Sequence, residues 1–190
     1  TGPTGWQRLR HLMAAPVTRA AARIQGPLIL ALGEVPADLR FFFEMLVRLA
    51  PDITTVRALC RACEVRPSTL MSRFSRAGLP SPKSYLASVR LLHAAHLLEA
   101  PGRSIADVAY RLEYSSPQSF GRHVRAMLGI TSLEFRRRFP FPAALARFQQ
   151  QRMPPMRTIW EAANASLRWY EDMDRLVRTL APVELAYGYM

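Results

Sequence analysis

Apolar residues recur every three or four positions through the middle of the chain, in short runs separated by Pro, Gly and Ser, a pattern that predicts a succession of short helices. Val56, Leu59, Cys60 and Cys63 line one helix face, Glu64-Val65-Arg66 breaks it, and Pro67 stands where a second helix with Leu70 and Phe74 on its apolar side can begin. After Gly78–Ser81 a long helix is predicted from Pro82 to about Glu99, carrying Tyr85, Leu86, Val89, Leu92, His93, His96 and Leu97 at helical spacing. Ser104 can cap the next helix, with Asp107 three residues on as the partner acid of a capping box and Ile105, Val108, Ala109 and Leu112 facing inward. Glu113-Tyr114-Ser115 breaks it. Pro117 opens a helix with Phe120, Val124 and Leu128 inward that Gly129 ends, and a last short helix covers roughly Ser132 to Phe139.

The flanks read differently. Residues 1–26 are Arg- and Ala-rich with a weak helical pattern, and the continuous apolar run Pro27 to Leu32 predicts one buried strand. Gly33 to Asp38 reads as a turn, and Leu39, Phe42, Phe43, Leu46, Val47 and Leu49 give a helix face that stops at Ala50-Pro51. Segment 1–51 is therefore expected either as a strand-helix remnant of a sensor domain or as a unit that packs on the central helices. Beyond Phe139, the prolines at 140, 142, 154 and 155 predict a linker, and Ile159, Trp160, Ala163, Leu167, Tyr170, Val177 and Leu180 predict an amphipathic helix. That helix can cap the domain, pair with a second copy through 156–180, or fray. The expected architecture is all-α, with segment 1–51, a central domain over 52–139, and a linker with helical tail over 140–190.

The central domain repeats itself. Val56, Leu59, Cys60, Cys63, Glu64 and Val65 superpose on Ile105, Val108, Ala109, Leu112, Glu113 and Tyr114 at a constant offset of 49 positions, and Leu70 and Phe74 then match Phe120 and Val124 with one extra residue. Each copy is a helix, a tight turn and an apolar-anchored second helix, which is helix-turn-helix geometry. A linking helix of about 18 residues would be roughly 27 Å long, enough to hold the two second helices about one DNA turn apart.

Charge narrows the partner. The chain carries +12, and the stretch Pro51 to Phe139 holds 14 Lys and Arg against 6 Asp and Glu. Such a field attracts nucleic acid or anionic lipid. No segment has the roughly 18 apolar residues a bilayer span requires, and Pro27 to Leu32 is too short for a signal-peptide core, so a cytoplasmic, nucleoid-associated location away from the membrane is expected. Cys60 and Cys63 form a C-x-x-C spacing without a second pair and lie on an apolar stripe, which favours buried thiols over zinc or redox chemistry. For the His93 and His96 pair, packing and solvent contact are favoured over a metal, so no metal is expected; no Ser-His-Asp grouping or Gly-rich phosphate loop points to an enzyme or to a cofactor.

The stretch resembles the DNA-binding domain of the AraC/XylS family of transcription regulators, through Ser81-Pro82, Tyr85-Leu86, Arg90-Leu91 to Ala94, Leu97-Leu98, Ser104-Ile105-Ala106-Asp107-Val108-Ala109, Tyr114-Ser115-Ser116, Phe120, Arg122, Gly129-Ile130-Thr131 and Phe135-Arg136. The resemblance implies a sequence-specific regulator, more often an activator, that binds double-stranded DNA with recognition helices over 67–77 and 117–128 and has RNA polymerase as a candidate partner. It implies base contacts by Gln118, Ser119 and Arg122 in the second unit, where Gln can pair with adenine and Arg with guanine. The matching positions of the first unit, Ser68, Met71 and Ser72, can read little more than a thymine methyl or a phosphate. Arg73, Arg76, His123, Arg125 and Ser104 are the expected phosphate contacts. The sequence departs from the family pattern in Glu64 and Glu113, at turn positions where Gly is frequent, in Arg66 in place of a capping Ser, and in Ser132 in place of Pro. The competing reading is a truncated regulator that acts as a protein-interaction fragment with weak, non-specific DNA binding.

Overall fold

The computed structural model describes residues 17–32 and 36–152, and these form helices with no strand among them. In chain order they are α1 (Arg19–Leu32), α2 (Ala37–Leu49), α3 (Val56–Ala62), α4 (Pro67–Arg76), α5 (Pro82–Leu98), α6 (Ile105–Arg111), α7 (Pro117–Leu128), α8 (Ser132–Arg138) and α9 (Phe141–Arg152). The all-α expectation holds, as do both helix-turn-helix units, α3–α4 and α6–α7, and the long helix that joins them.

Helix α5 is the axis. Tyr85, Leu86, Val89, Leu91, Leu92, Ala94, Ala95 and Leu98 are buried on several sides of it, because α1, α2, α4, α6, α8 and α9 all pack around it. Its apolar residues therefore go nearly all round rather than forming one stripe, the mark of a helix at the centre of a domain. At its N-terminal half, Tyr85 meets Phe43 at 4.9 Å and Phe74 at 5.7 Å between ring centroids, and Phe42 meets Phe74 edge-on at 5.4 Å. This aromatic cluster ties α2 to the first unit, and each buried ring contributes on the order of 2 to 3 kcal/mol by leaving water. The second unit has its own cluster, with Phe120 between Tyr114 at 5.3 Å and Phe135 at 6.3 Å.

Two flanking expectations change. The run Pro27 to Leu32 belongs to helix α1, not to a strand. A continuous apolar run cannot by itself distinguish strand from helix. The residues before it decide: Ala20, Ala21, Ile24 and Leu28 fall on one helical stripe and are all buried. The helix tolerates Pro27 in its interior, where proline usually costs about 3 kcal/mol, because that stripe is pressed against α2 and α5. Helices α1 and α2 share one core with the helix-turn-helix units. The second change is at 141–152, expected as linker and found as helix α9. Pro142 sits in its first turn, where a missing N–H costs little, and Phe141, Ala144 and Phe148 are buried. The expected amphipathic helix and dimer contact over 156–180 lie outside the described residues.

Local signals place the helix ends. Thr55, Ser81, Ser104, Ser116 and Thr131 each accept a hydrogen bond from the backbone N–H three residues on. The Ser104–Asp107 capping box is present, and Thr131–Glu134 forms a second. Arg66 provides no side-chain cap to α4, as its identity suggests.

Candidate nucleic-acid interface

Each second helix is anchored by two residues and exposes the rest. Leu70 and Phe74 hold α4 to the core and Phe120 and Val124 hold α7, the repeat positions read from the sequence. On the outer side, α4 presents Ser68, Met71, Ser72 and Arg76, with Met71 51% exposed despite its apolar side chain. Helix α7 presents Gln118, Arg122 and Arg125.

The turns that aim these helices are alike. Glu64 has φ 54° and Glu113 φ 55°, both left-handed. Beside them the Val65 N–H donates to Cys60 O at 2.9 Å and the Tyr114 N–H to Ala109 O at 3.0 Å. The duplication seen in sequence thus extends to the hydrogen bonding of the turns, and each Glu bears the strain that Gly would avoid.

A groove separates the two second helices. Met71 of α4 lines one wall and Ser119 and His123 of α7 the other, with Leu86, Ala87 and Arg90 of α5 between them. Both candidate recognition helices consequently border one face of the domain. Helix α5 has 17 residues, about 25 Å at 1.5 Å per residue.

The side chains differ in how ready they are for a ligand. Arg122 Nη2 donates to Ser119 Oγ at 3.1 Å, and that hydroxyl also lies 2.9 Å from Ser115 Oγ and 3.2 Å from Ser116 Oγ. Gln118 and Arg122 are the exposed pair. Arg73, expected on a phosphate, forms an ion pair with Asp38 of α2 at 2.5 Å and is half-buried, while Arg76 stays exposed and its Nε donates to Ser72 O at 3.4 Å. The Ser104 hydroxyl donates to Asp107 Oδ2 at 2.7 Å within its capping box, and these bonds hold the Asp107 carboxyl below the usual range.

His123 is the clearest departure. It lines the groove but is half-buried there; its Nδ1 is hydrogen-bonded with the Tyr114 hydroxyl, and its ring packs 5.7 Å from that of Tyr114. Burial, helped by the nearby Arg90 charge, pushes its pKa down to about 4. A neutral imidazole brings no cation to a phosphate, so the ring serves to hold α7 on the turn that precedes it. The pairing with Tyr114, nine residues earlier, was the missed signal.

Arg90 was recognised as part of a motif but its task was not. It is 3% exposed, and its guanidinium donates to Ala50 O at 2.6 Å, to Ile53 O at 2.9 Å and to the Leu112 carbonyl, while lying 4.5 Å over the Tyr114 ring. Ala50 and Ile53 lead into the first unit, and Leu112 ends the first helix of the second. One planar, always charged fork thus joins both units through the linking helix. The sequence signal was an Arg on the stripe that Leu86 and His93 occupy.

Among the described residues no group of His, Cys, Asp and Glu could hold a metal. Burial pushes the Cys63 thiol up to about 12 and raises that of Cys60, which keeps both protonated. Among the same residues no helix is long and apolar enough to cross a membrane.

Residues 59–138 match the family described as "Helix-turn-helix domain". A curated relative, the "Lactose operon transcription activator" of Staphylococcus xylosus, is 28% identical over 85 residues, 45% of this chain. Both matches fall on the stretch whose motifs resemble the AraC/XylS family. The aligned stretch spans 30% of the relative's length. No solved structure gives a significant match. The match makes this a helix-turn-helix domain of the DNA-binding transcription-regulator kind, with α4 and α7 as the second helices of its two units.

Proposed function

We propose that the chain is a sequence-specific transcription regulator, acting as an activator, that inserts α4 and α7 into successive major grooves of one duplex. The observation that carries this reading is the single groove bordered by Met71 on one helix and Ser119 on the other. What a duplex presents between two neighbouring major grooves is a backbone-lined minor groove, and the separation needed is one helical turn, about 34 Å.

Specificity in this reading is unequal. Gln118 and Arg122 supply donors and acceptors that match adenine and guanine edges, each good pair being worth about 1 to 3 kcal/mol of discrimination. Ser68, Met71 and Ser72 supply mostly shape and a methyl contact. Arg76 and Arg125, both exposed, hold phosphates. The activator role follows the printed description of the relative; RNA polymerase as a partner and the cytoplasmic nucleoid as the place of action are parts of the same proposal. Pairing of two copies through 156–180 belongs to the same proposal.

Selection of bound sequences from a random duplex pool tests it. A single enriched motif with stronger information in one half supports the reading. Uniform recovery of the pool points instead to an interaction fragment that binds DNA without preference.

A further inference from the structure

A second cleft opens beside the DNA-facing groove, and Glu113 lines both. It measures about 790 Å³, within the roughly 300 to 1,000 Å³ usual for small-molecule sites. Arginines reach it from four parts of the fold: Arg19 and Arg23 from α1, Arg48 from α2, Arg103 from the loop before α6, and Arg111 from the last turn of α6. The carboxylates among its lining residues are Asp52, Glu99 and Glu113, and Glu99 is already engaged by Arg23 at 2.5 Å. The cationic field is felt inside the fold as well: besides burial, Arg23, Arg19 and Arg103 all hold the His96 pKa down.

We infer that this cleft is a binding site for a small polyanion carrying phosphate groups, held by Arg19, Arg48, Arg103 and Arg111. Like charges gathered from separate elements repel one another, and a multivalent anion turns that repulsion into attraction. Guanidinium groups match phosphate oxygens in bidentate geometry better than ammonium groups do. Because the arginines stand on different elements, a ligand with at least two charged ends can engage several of them together. Such a ligand links α1 and α2 to the turn at Glu113 that aims α7. The phosphate can come from a free phosphorylated metabolite or from the DNA backbone.

The test is titration calorimetry of the full 190-residue chain with inorganic pyrophosphate, with acetate as the singly charged comparison. One saturable pyrophosphate site is expected, with none for acetate. It is expected to weaken at least tenfold in Arg103→Ala/Arg111→Ala and to be unchanged in Arg40→Ala, which lies two turns back along α2 from Arg48. Far-UV circular dichroism checks that each variant is folded. Repeating the titration with a saturating short duplex separates the sources. Simultaneous binding, with duplex affinity unchanged in the double variant, assigns the cleft to a free anion. Mutual exclusion, with duplex affinity lost in the double variant, assigns it to backbone phosphate. Absence of saturable binding, or equal loss in Arg40→Ala, overturns the inference.

Discussion

The Arg90 guanidinium donates to the backbone carbonyl of Leu112, at the end of the first helix in the second unit, while the same group holds Ala50 and Ile53 ahead of the first unit. An isolated buried cation would be costly; here the charge is spread over carbonyl oxygens and an aromatic face. One side chain thus bridges the segments that lead into α4 and α7.

Removing it should leave buried carbonyls without a donor on both sides of α5. Arg90→Met is expected to destabilise the domain by about 3 to 5 kcal/mol, read as a lowered urea midpoint. Arg90→Lys should recover only part of this, because an ammonium has three donors on one point and cannot serve carbonyls spread around it. A lysine variant as stable as the parent would contradict the bridging role.

Glu64 and Glu113 both sit at positive φ, near 55°. At ordinary helical positions Ala is more stable than Gly by roughly 0.5 to 1 kcal/mol. At these two turns the order should invert, with Glu64→Gly and Glu113→Gly each more stable than the matching Ala variant by about 1 kcal/mol. Equilibrium denaturation of the four variants checks the sign, and Ala above Gly at either position would show that the turn is not held left-handed in solution.

His93 and His123 both have pKa values pushed down to about 4 by burial, with Arg90 close to each and His96 close to His93. Their unfolded forms take up protons near the ordinary 6.5. The stability they represent is therefore complete above about pH 6.5 and is lost as the pH falls from there toward 4. Each unmatched proton tilts the stability by about 1.4 kcal/mol per pH unit in that window. Urea midpoints at pH 7, 6 and 5 should fall steadily, and the fall should be shallower in His93→Gln. A flat profile would mean that the two imidazoles are protonated in the native fold.

For DNA, Gln118→Ala/Arg122→Ala should abolish the preference for one sequence while leaving general, salt-dependent binding in place, whereas Ser68→Ala/Ser72→Ala should change the preference little. Affinity of the parent chain should fall about a thousandfold or more between 50 and 200 mM salt if six or more phosphates are held. Fluorescence anisotropy with matched and scrambled duplexes measures both, and an undiminished preference in the double variant would remove Gln118 and Arg122 from the base-reading role.

Much of the domain was legible because its signals are local. Pro67 and Pro117 at helix starts, the Ser104–Asp107 box and Gly129 at a helix end all act within a turn or two of the chain, and the structure keeps each of them. What escaped depends on contacts distant in sequence. A run such as Pro27 to Leu32 becomes helix because Ile24 and Leu28 find α2 and α5, and Phe141 turns an apparent linker into helix by docking near α5 and under Arg23, whose guanidinium lies 4.0 Å from the ring centroid. The task of Arg90 was invisible for the same reason: its acceptors are backbone atoms up to 40 residues away, and no residue type announces a free carbonyl. Helical phase could not foresee that the His123 ring would be tied to Tyr114.

The central claim is that one chain sets α4 and α7 into two neighbouring major grooves. Hydroxyl-radical footprinting on a duplex recovered by selection tests it most directly. Two protected patches on the same side of the duplex, centred about one helical turn apart, with the patch assigned to α7 lost in Gln118→Ala/Arg122→Ala, is the predicted result. A single patch, or protection spread evenly along the duplex, would contradict it.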